Sequence, residues 1–220
     1  TKVVILGMGG SAIGGDLLRS FIAPMSPTIT MVIRDYELPS YIDEKTLVIA
    51  SSYSGNTEET ITTFSKSLKL NCKKLVLTTG GKLQEMADNA GIPVFHIEHV
   101  SPPRAALGFS FMPLLAFYRN LGLLEGIVVD IDTMVGHLKK LLENWQESIP
   151  TNMNLAKEIA HSLFGKIVVI YGAGSVAEVA HRWKTQINEN SKAWSFYEIL
   201  PELNHNSVVG DWRVWGIMNS

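Results

Sequence analysis

The sequence has few of the features that mark secreted, membrane-spanning or nucleic-acid-binding proteins. Its 220 residues include a single cysteine, Cys72, which excludes an internal disulfide and a cysteine-rich metal site. Lys and Arg number 19 against 21 Asp and Glu, so the formal net charge is -2 and provides no basic surface for nucleic acid. No apolar run reaches the roughly 18 residues that a membrane helix needs, and no basic segment precedes the first apolar stretch. We therefore expect a soluble cytoplasmic protein that binds neither nucleic acid nor membrane.

Apolar residues are abundant by contrast, and their arrangement indicates an α/β fold. Hydrophobic residues make up 46% of the sequence and the mean hydropathy is +0.13, as expected when parallel strands are covered on both faces. Short apolar runs alternate with helical patterns in the order β-α-β-β-α-β-α-β. This alternation predicts a doubly wound parallel sheet that binds ligands at the carboxyl ends of its strands. The predicted strands cover residues 2–6, 28–33, 46–50, 74–78 and 93–97, and the helix after the third strand is expected to run to about Leu70.

The second half of the sequence repeats the start of the first. Three apolar helices without any strand signal are predicted at 106–121, 131–145 and 154–163. After them, KIVVIYGAGSVAEVAHRW at 166–183 repeats the pattern of KVVILGMGGSAIGGDLL at 2–18, namely a lysine, an apolar strand, a glycine turn with a serine, and a helix. We therefore predict two α/β units, the second of them incomplete. The expected division is a first subdomain at 1–120, a helical crossover at 121–164 and a second subdomain at 165–220.

The segment IASSYSGNTEET, residues 49–60, has the pattern of a phosphate-binding turn. A buried strand leads directly into hydroxyl side chains and a glycine, and a helix follows. Ser52, Ser54 and Thr57 can direct three hydroxyls at one anion, together with the free N–H groups and positive dipole end of the helix. The alternative is a helix cap, in which Ser54 or Asn56 caps the helix and Glu59 completes a capping box to Asn56.

Two glycine turns also allow a dinucleotide-binding interpretation. Gly7-x-Gly9-x-x-Ala12 and its counterpart at 172–177 fit a relaxed dinucleotide fingerprint, and Asp35 lies near the expected position of a ribose-binding acid. Two copies of the turn fit a duplicated fold better than two dinucleotide sites. Glycines that only let strand and helix approach closely would give the same pattern. We predict no nicotinamide or flavin cofactor.

One histidine cluster has the composition of a metal site but not its geometry. His96, Glu98 and His99 fall near a predicted strand end. Residues this close in an extended segment do not all point to the same side, so they are not expected to coordinate one ion. We predict no metal site in the sequence.

Four separated motifs carry a resemblance to one family. GMGGSAIGGD, SSYSGNTEET, SPPRAALGFS and TQINENSKAWSFYEILPELNHN together resemble the sugar-isomerase (SIS) fold, and most closely the bifunctional phosphoglucose/phosphomannose isomerase family. The resemblance implies two SIS subdomains, each a flavodoxin-like doubly wound parallel sheet. It also implies a homodimer with a shared active site and no cofactor. The implied reaction interconverts glucose 6-phosphate, and mannose 6-phosphate, with fructose 6-phosphate through a cis-enediol.

The resemblance assigns the substrate-binding residues of the first unit. Ser52, Ser54 and Thr57 match the phosphate loop of the family, and Gly10 and Ser11 match a neighbouring glycine turn that contacts the sugar. Arg104 matches an arginine that lines the family's active site. The fixed charge and planar fork of an arginine suit an enediolate oxygen, or a water that bridges to it. By sequence alone, an arginine after two prolines is more often a surface residue.

The resemblance also assigns two groups that move protons. Glu189 matches the base that shuttles a proton between C1 and C2, and we expect the helix dipole and partial burial to raise its pKa. His205, sixteen residues further on, matches the ring-opening histidine, which in the family can reach the site from the partner subunit. A solvated glutamate at a helix end is the alternative for Glu189. Glu202 is a nearby rival carboxylate.

Two expectations concern the extent of the chain and its activity. Both ends of the sequence resemble cut ends, and the family's catalytic domain continues beyond residue 220 with a further lysine and threonine of the site. We therefore do not expect this stretch alone to be fully active. The alternative function is a regulatory SIS module that binds sugar phosphates without turnover. Such a module keeps the serine loop but has no need of Glu189 and His205.

Overall fold

A parallel sheet of five strands forms the first half of the molecule. The computed structural model describes residues 2–99, 101–124, 127 and 130–207. The spatial order of the strands is β2-β1-β3-β4-β5, and all neighbours are parallel. This is the flavodoxin-like doubly wound order, which confirms the sheet predicted from the alternation of strands and helices. The strands are β1 Lys2–Leu6, β2 Ile29–Ile33, β3 Thr46–Ser52, β4 Lys73–Thr78 and β5 Val94–His96.

Helices cover both faces of this sheet and continue into the second half of the chain. They follow the predicted 3.6-residue periodicity closely, although α2 ends three residues before the predicted Leu70. Lys69 and Leu70 there donate their N–H groups to the carbonyls of Lys66 and Ser67, three residues earlier, so a tighter turn ends the helix. The helices are α1 Gly9–Ile22, α2 Glu58–Ser67, α3 Gly81–Asn89, α4 Leu107–Asn120, α5 Ile131–Trp145, α6 Leu155–Leu163 and α7 Ala177–Gln186.

Alternation along β1 divides the core into two apolar layers. Val3 and Ile5 pack with residues of α1 and α4, whereas Val4 and Leu6 pack with residues of α2 and α3. All four are at most 1% exposed, as a central strand covered on both faces requires. Tyr118 of α4 is also fully buried, and its hydroxyl hydrogen-bonds the Thr30 hydroxyl at 2.7 Å. The layers hold the sheet rigidly, so the loops at its carboxyl edge have a fixed frame.

A smaller parallel sheet forms in the second half of the chain. It pairs β6, Val168–Ala173, with β7, Ser195–Leu200, and α7 connects them. Sequence analysis predicted β6 but missed β7, whose sequence SFYEIL begins two residues after the polar segment NENSK. A π-helical turn, Ile187–Ser191, extends α7 towards the predicted helix end near residue 190. Residues 208–220, which belong to the predicted second subdomain, lie outside the described residues.

Candidate active site

Two helix N-termini open at the carboxyl edge of the five-stranded sheet. α1 begins three residues after β1, and α2 begins six residues after β3, the strand beside β1. The residues before these helices, Met8 and Thr57, make no side-chain capping hydrogen bond. The alternative of a cap at Ser54 or Asn56, with a capping box to Glu59, is wrong, because Thr57 occupies the N-cap position of α2 and the side-chain oxygens of Ser54 and Asn56 accept the N–H groups of Asn56 and Lys82. Uncapped N–H groups at two neighbouring helix ends favour an anion at this edge.

The three predicted phosphate-binding hydroxyls lie within this turn. Ser52 is the last residue of β3, and its hydroxyl hydrogen-bonds the hydroxyl of Thr57 at 2.9 Å. Ser52 is buried, Thr57 is half-buried and Ser54 is exposed. Ser54 accepts a hydrogen bond from the N–H of Asn56 at 3.2 Å, which holds its hydroxyl oxygen inside the turn. The three hydroxyls thus span the depth of the turn from its buried base to its exposed rim.

Glycine is required at the centre of the turn. Gly55 has a φ of +68°, and a Cβ atom there would lie 1.7 Å from the carbonyl oxygen of Gly80. That carbonyl also accepts the hydroxyl hydrogen of Thr78 at 2.9 Å. The contact packs the turn after β3 directly against the turn after β4, so neither backbone can shift independently.

Tyr53 links the serine turn to the glycine turn of α1 and to the loop after β5. Its N–H donates to the Ser11 hydroxyl oxygen at 3.0 Å, and its carbonyl accepts the Thr79 hydroxyl at 2.7 Å. Its phenolic hydroxyl bonds the carbonyl of His99 and accepts the N–H of Ser101 at 3.0 Å. The predicted Gly10–Ser11 turn and the predicted serine turn therefore share one hydrogen-bond network. Tyr53 lies inside the quoted SSYSGNTEET motif, but sequence analysis gave it no role.

The loop that carries Arg104 is the third part of this edge. Arg104 lies in a short 3₁₀ turn, Pro103–Ala105, and a Cβ atom on Gly10 would lie 3.2 Å from the Pro103 carbonyl oxygen. The Arg104 side chain is exposed and makes no hydrogen bond or ion pair to any residue that the structure describes. Its carbonyl oxygen accepts hydrogen bonds from Arg182 at 2.6 Å and Gln186 at 2.9 Å, both on α7. α7 thus fixes the backbone beneath a free guanidinium group.

Glu189 lies in the π-helical turn after α7, at the predicted helix end. The residue is exposed, so our prediction that its carboxyl group is partly buried is wrong. The π-helical turn Ile187–Ser191 continues directly from α7, and the helical segment ends where Lys192 adopts a left-handed φ of 56°. Among the described residues, no side chain forms an ion pair with the Glu189 carboxylate.

His205 is the last residue of a 3₁₀ turn, Glu202–His205, which follows β7. It is exposed, and its imidazole makes no hydrogen bond within the described parts of the chain. The rival Glu202 accepts a hydrogen bond from the Asn206 side chain at 2.9 Å, so its carboxylate already has a local partner. No hydrogen bond joins the side chain of Glu189 or His205 to the serine turn or to Arg104 in the described residues. The catalytic roles of both residues stay predictions.

Two alternatives from the sequence have local structural explanations. The carboxylate of Asp35 accepts the N–H groups of Tyr36 at 2.6 Å and Glu37 at 3.2 Å, and so closes its own turn. His96 hydrogen-bonds Gln84 at 3.2 Å, whereas the His99 ring stacks on Phe109 with centroids 4.1 Å apart. The two histidines thus contact different helices.

A second charged cluster lies where α1 contacts α7. Ligand atoms of Asp16, Glu178 and His181 lie within 4.8 Å of one another, the spacing of a metal site. Both carboxylates already have cationic partners, since Arg34 pairs with Asp16, and Arg19 reaches Glu178 at 2.7 Å. The donor set therefore fits a charged contact between two helices better than a cation site. It forms one wall of a cavity of about 450 Å³ beside β2.

Comparison with known proteins identifies the class to which this site belongs. The family model of the SIS domain matches residues 1–118, which carry the five-stranded sheet, the serine turn and Arg104. The chain belongs to the SIS domain family, and the resemblance drawn from the sequence motifs is confirmed. A second model, the bacterial phospho-glucose isomerase C-terminal SIS domain, matches residues 152–214.

Particular relatives point to one group within this family. The chain is 48% identical to the bifunctional phosphoglucose/phosphomannose isomerase of Caldicellulosiruptor bescii, over 95% of this chain and 62% of that protein. It is 39% identical to the protein of the same description from Aquifex aeolicus, over 94% of this chain and 61% of that protein. The chain thus spans about three fifths of the length of these curated relatives.

Solved structures support the fold. A hypothetical protein from Thermus thermophilus superposes with a TM-score of 0.70 at 21% identity, over 94% of this chain and 55% of that chain. Identity this low supports the shared fold alone. Among the helices that the structure describes, none is both long and apolar enough to cross a membrane.

Proposed function

We propose that the protein is an aldose–ketose isomerase that interconverts glucose 6-phosphate, and mannose 6-phosphate, with fructose 6-phosphate. The observation that carries this proposal is the joining of the serine turn, the Gly10–Ser11 turn and the Arg104 loop at one sheet edge. The relatives at 48% and 39% identity, both bifunctional phosphoglucose/phosphomannose isomerases, support it. We also propose a cytoplasmic homodimer with a shared active site, and subdomains at 1–120 and 165–220 joined by a helical crossover.

Substrate binding begins with the phosphate in this proposal. Ser52, Ser54 and Thr57 donate hydroxyl hydrogen bonds to it, and the uncapped end of α2 adds N–H groups and a favourable dipole. Glu58 and Glu59 in the first turn of α2 oppose an anion, so the hydroxyl groups have to supply much of the affinity. Gly10 and Ser11 then contact the sugar from the neighbouring turn. An anchored phosphate fixes C1 and C2 relative to the groups that react.

Isomerisation requires one proton to move between adjacent carbons. Glu189 removes the C2 proton of the open-chain aldose, and the electron pair shifts towards the C1 oxygen to give a cis-enediolate. Protonation of C1 by the same carboxylic acid, with proton exchange between the two oxygens, then completes the ketose. The free guanidinium of Arg104 stabilises the negative charge on the enediolate oxygen. His205 transfers the protons that open the sugar ring, either within one subunit or from the partner.

The proposal is tested by measuring both turnover and hydrogen exchange. The full-length protein is expected to convert glucose 6-phosphate and mannose 6-phosphate to fructose 6-phosphate, with exchange of the C2 hydrogen into deuterated solvent. Glu189→Gln should abolish both, by more than about 10³-fold, because an amide cannot accept the proton. Binding of fructose 6-phosphate without turnover by the unaltered protein would favour the regulatory module instead. Retained C2 exchange in the Glu189 variant would remove Glu189 from the mechanism.

A further inference from the structure

One buried arginine on α7 contacts the Arg104 loop. Arg182 is only 5% exposed, and its Nη2 donates to the Arg104 carbonyl oxygen at 2.6 Å. Gln186, one helical turn later, donates to the same oxygen at 2.9 Å. Residues four apart lie on one face of a helix, so α7 directs two donors at a single carbonyl. This carbonyl belongs to Arg104, whose guanidinium group makes no hydrogen bond or ion pair to the described residues.

The charge of Arg182 has no close counterion. Within the described residues, no carboxylate lies within 4.0 Å of its guanidinium nitrogens, and its buried Nε has no hydrogen-bond partner. Burial lowers the pKa of Arg182, and attraction to the more distant Glu189 partly opposes that effect. Buried charges in proteins are ordinarily paired, because an unpaired one is costly to remove from water. A buried arginine without an ion pair therefore calls for a role other than stabilising the fold.

We propose that Arg182 is a positioning residue that fixes Arg104 relative to the helix end carrying Glu189. The inference rests on the function proposed above for those two residues. Arg104 follows the five-stranded sheet, whereas Glu189 follows the helix between the strands of the small sheet. The hydrogen bonds from Arg182 and Gln186 are direct links between these two segments. The buried charge of Arg182 also adds positive potential beside the Arg104 backbone, and it attracts the more distant Glu189 carboxylate.

Two variants and one matched control test this role in kinetics. Arg182→Met should lower kcat about 10²-fold, as displacement of a catalytic group by about 1 Å does, and leave KM within about twofold. Arg182→Lys should recover most of that loss, because an ammonium group keeps the charge and one donor. Arg19→Met removes an arginine that also links the two halves of the molecule, through Glu178. It is expected to lower thermal stability and to leave kcat and KM unchanged.

Hydrogen exchange provides a readout that does not depend on activity. In Arg182→Met, the amides of Ser101 and of residues 104–107 should exchange at least tenfold faster, because their anchor to α7 is weakened; in Arg19→Met they should not. If Arg182→Met does not fold, Gln186→Leu removes the second donor and should give the same pattern, with a three- to tenfold loss in kcat.

The outcomes separate the positioning role from the proposed function. Unchanged loop exchange in Arg182→Met, or equal kinetic losses in Arg182→Met and Arg19→Met, would overturn the positioning role. A wild-type protein without isomerase activity would overturn the proposed function, and the exchange measurement would still decide whether Arg182 holds the Arg104 loop.

Discussion

The molecule contains two groups of charged residues, one with paired charges and one with unpaired charges. At the contact of α1 with α7, Asp16, Arg19, Arg34, Glu178 and His181 form what we call the α1–α7 charge cluster. Its carboxylates accept contacts from two arginines and a histidine, and the His181 ring stacks on Tyr197 with centroids 4.5 Å apart. The hydrogen bond from His181 contributes most to lowering the pKa of Glu178, and the charges of Arg19 and Arg34 lower this pKa further.

At the candidate active site the charged groups are not paired. Arg104, Glu189 and His205 are all exposed, and none of their charged groups forms an ion pair with a residue that the structure describes. Their backbones are nevertheless held, as the two hydrogen bonds to the Arg104 carbonyl illustrate. Paired charges stabilise the packing of the two halves, whereas unpaired charges on a fixed backbone are available to a ligand. The comparison predicts that variants of the first group change stability and variants of the second change activity.

Among the variants that test this comparison, the largest change, a loss of kcat/KM, is expected at His205. His205→Ala should lower kcat/KM for cyclic glucose 6-phosphate about 10²-fold, because ring opening loses its acid–base group. Turnover of an acyclic analogue that cannot form the ring should fall less than about threefold. Steady-state assays with the two substrates measure the difference, and His161→Ala, which removes an exposed histidine of α6, is the control. Equal losses on both substrates would contradict the ring-opening role.

An intermediate effect, on stability alone, is expected at Glu178. Glu178→Gln removes the charge that Arg19 and His181 face and should lower the free energy of unfolding by about 1–2 kcal/mol at pH 7. The pKa of Glu178 is lowered in the folded protein, so its contribution is complete above the ordinary carboxyl pKa of 4.5. It disappears as the pH falls through the lower folded value, where wild type and variant should become equally stable.

Denaturant titrations from pH 7 to pH 3 measure this difference, and Glu85→Gln on the exposed face of α3 is the control. A loss of isomerase activity in Glu178→Gln without a loss of stability would break the distinction between the two groups.

The smallest effect is expected at Ser54, on the exposed rim of the serine turn. Ser54→Ala should weaken fructose 6-phosphate binding about five- to tenfold, the value of roughly one ordinary hydrogen bond. Thermal stability should stay within about 1 °C, because the variant loses the local hydrogen bond from the Asn56 N–H to the Ser54 hydroxyl but keeps the one to the Ser54 carbonyl. Calorimetric titration measures the affinity, and Ser65→Ala on the exposed side of α2 is the matched control. Unchanged affinity with a clear loss of stability would make the turn purely structural.

Most of the first sheet was predictable because its signals are local. Each of its five strands is a short apolar run followed by a turn, and the predicted bounds differ from the structure by at most two residues at each end. The strand β7 was missed because its sequence SFYEIL does not alternate regularly between apolar and polar residues and because its partner β6 is remote in sequence. Strand pairing depends on such non-local contacts, which periodicity within a window does not contain.

For the candidate site, the sequence predicted the residues but not the contacts that hold them in place. Motif resemblance identified residues 10, 11, 52, 54, 57 and 104, and the structure brings their loops together through contacts of Tyr53 and α7. Tyr53 and Arg182 were missed because their importance lies in bonds to distant backbone atoms. The predicted partial burial of Glu189 was wrong, because the π-helical turn that extends α7 leaves this residue exposed. Residue type and spacing thus indicated the chemistry, whereas tertiary contacts determine exposure and support.

The close approach of Gly55 to Gly80 has a consequence for how this site can diverge. Any side chain at 55 would collide with a backbone carbonyl that already bonds Thr78 and that directly precedes α3. A substitution there is accommodated only if the turn after β4 is rebuilt at the same time. The two turns therefore form one unit of sequence variation, and a single substitution is accommodated more easily in the exposed Arg104 loop or around the exposed His205 than at the centre of the serine turn.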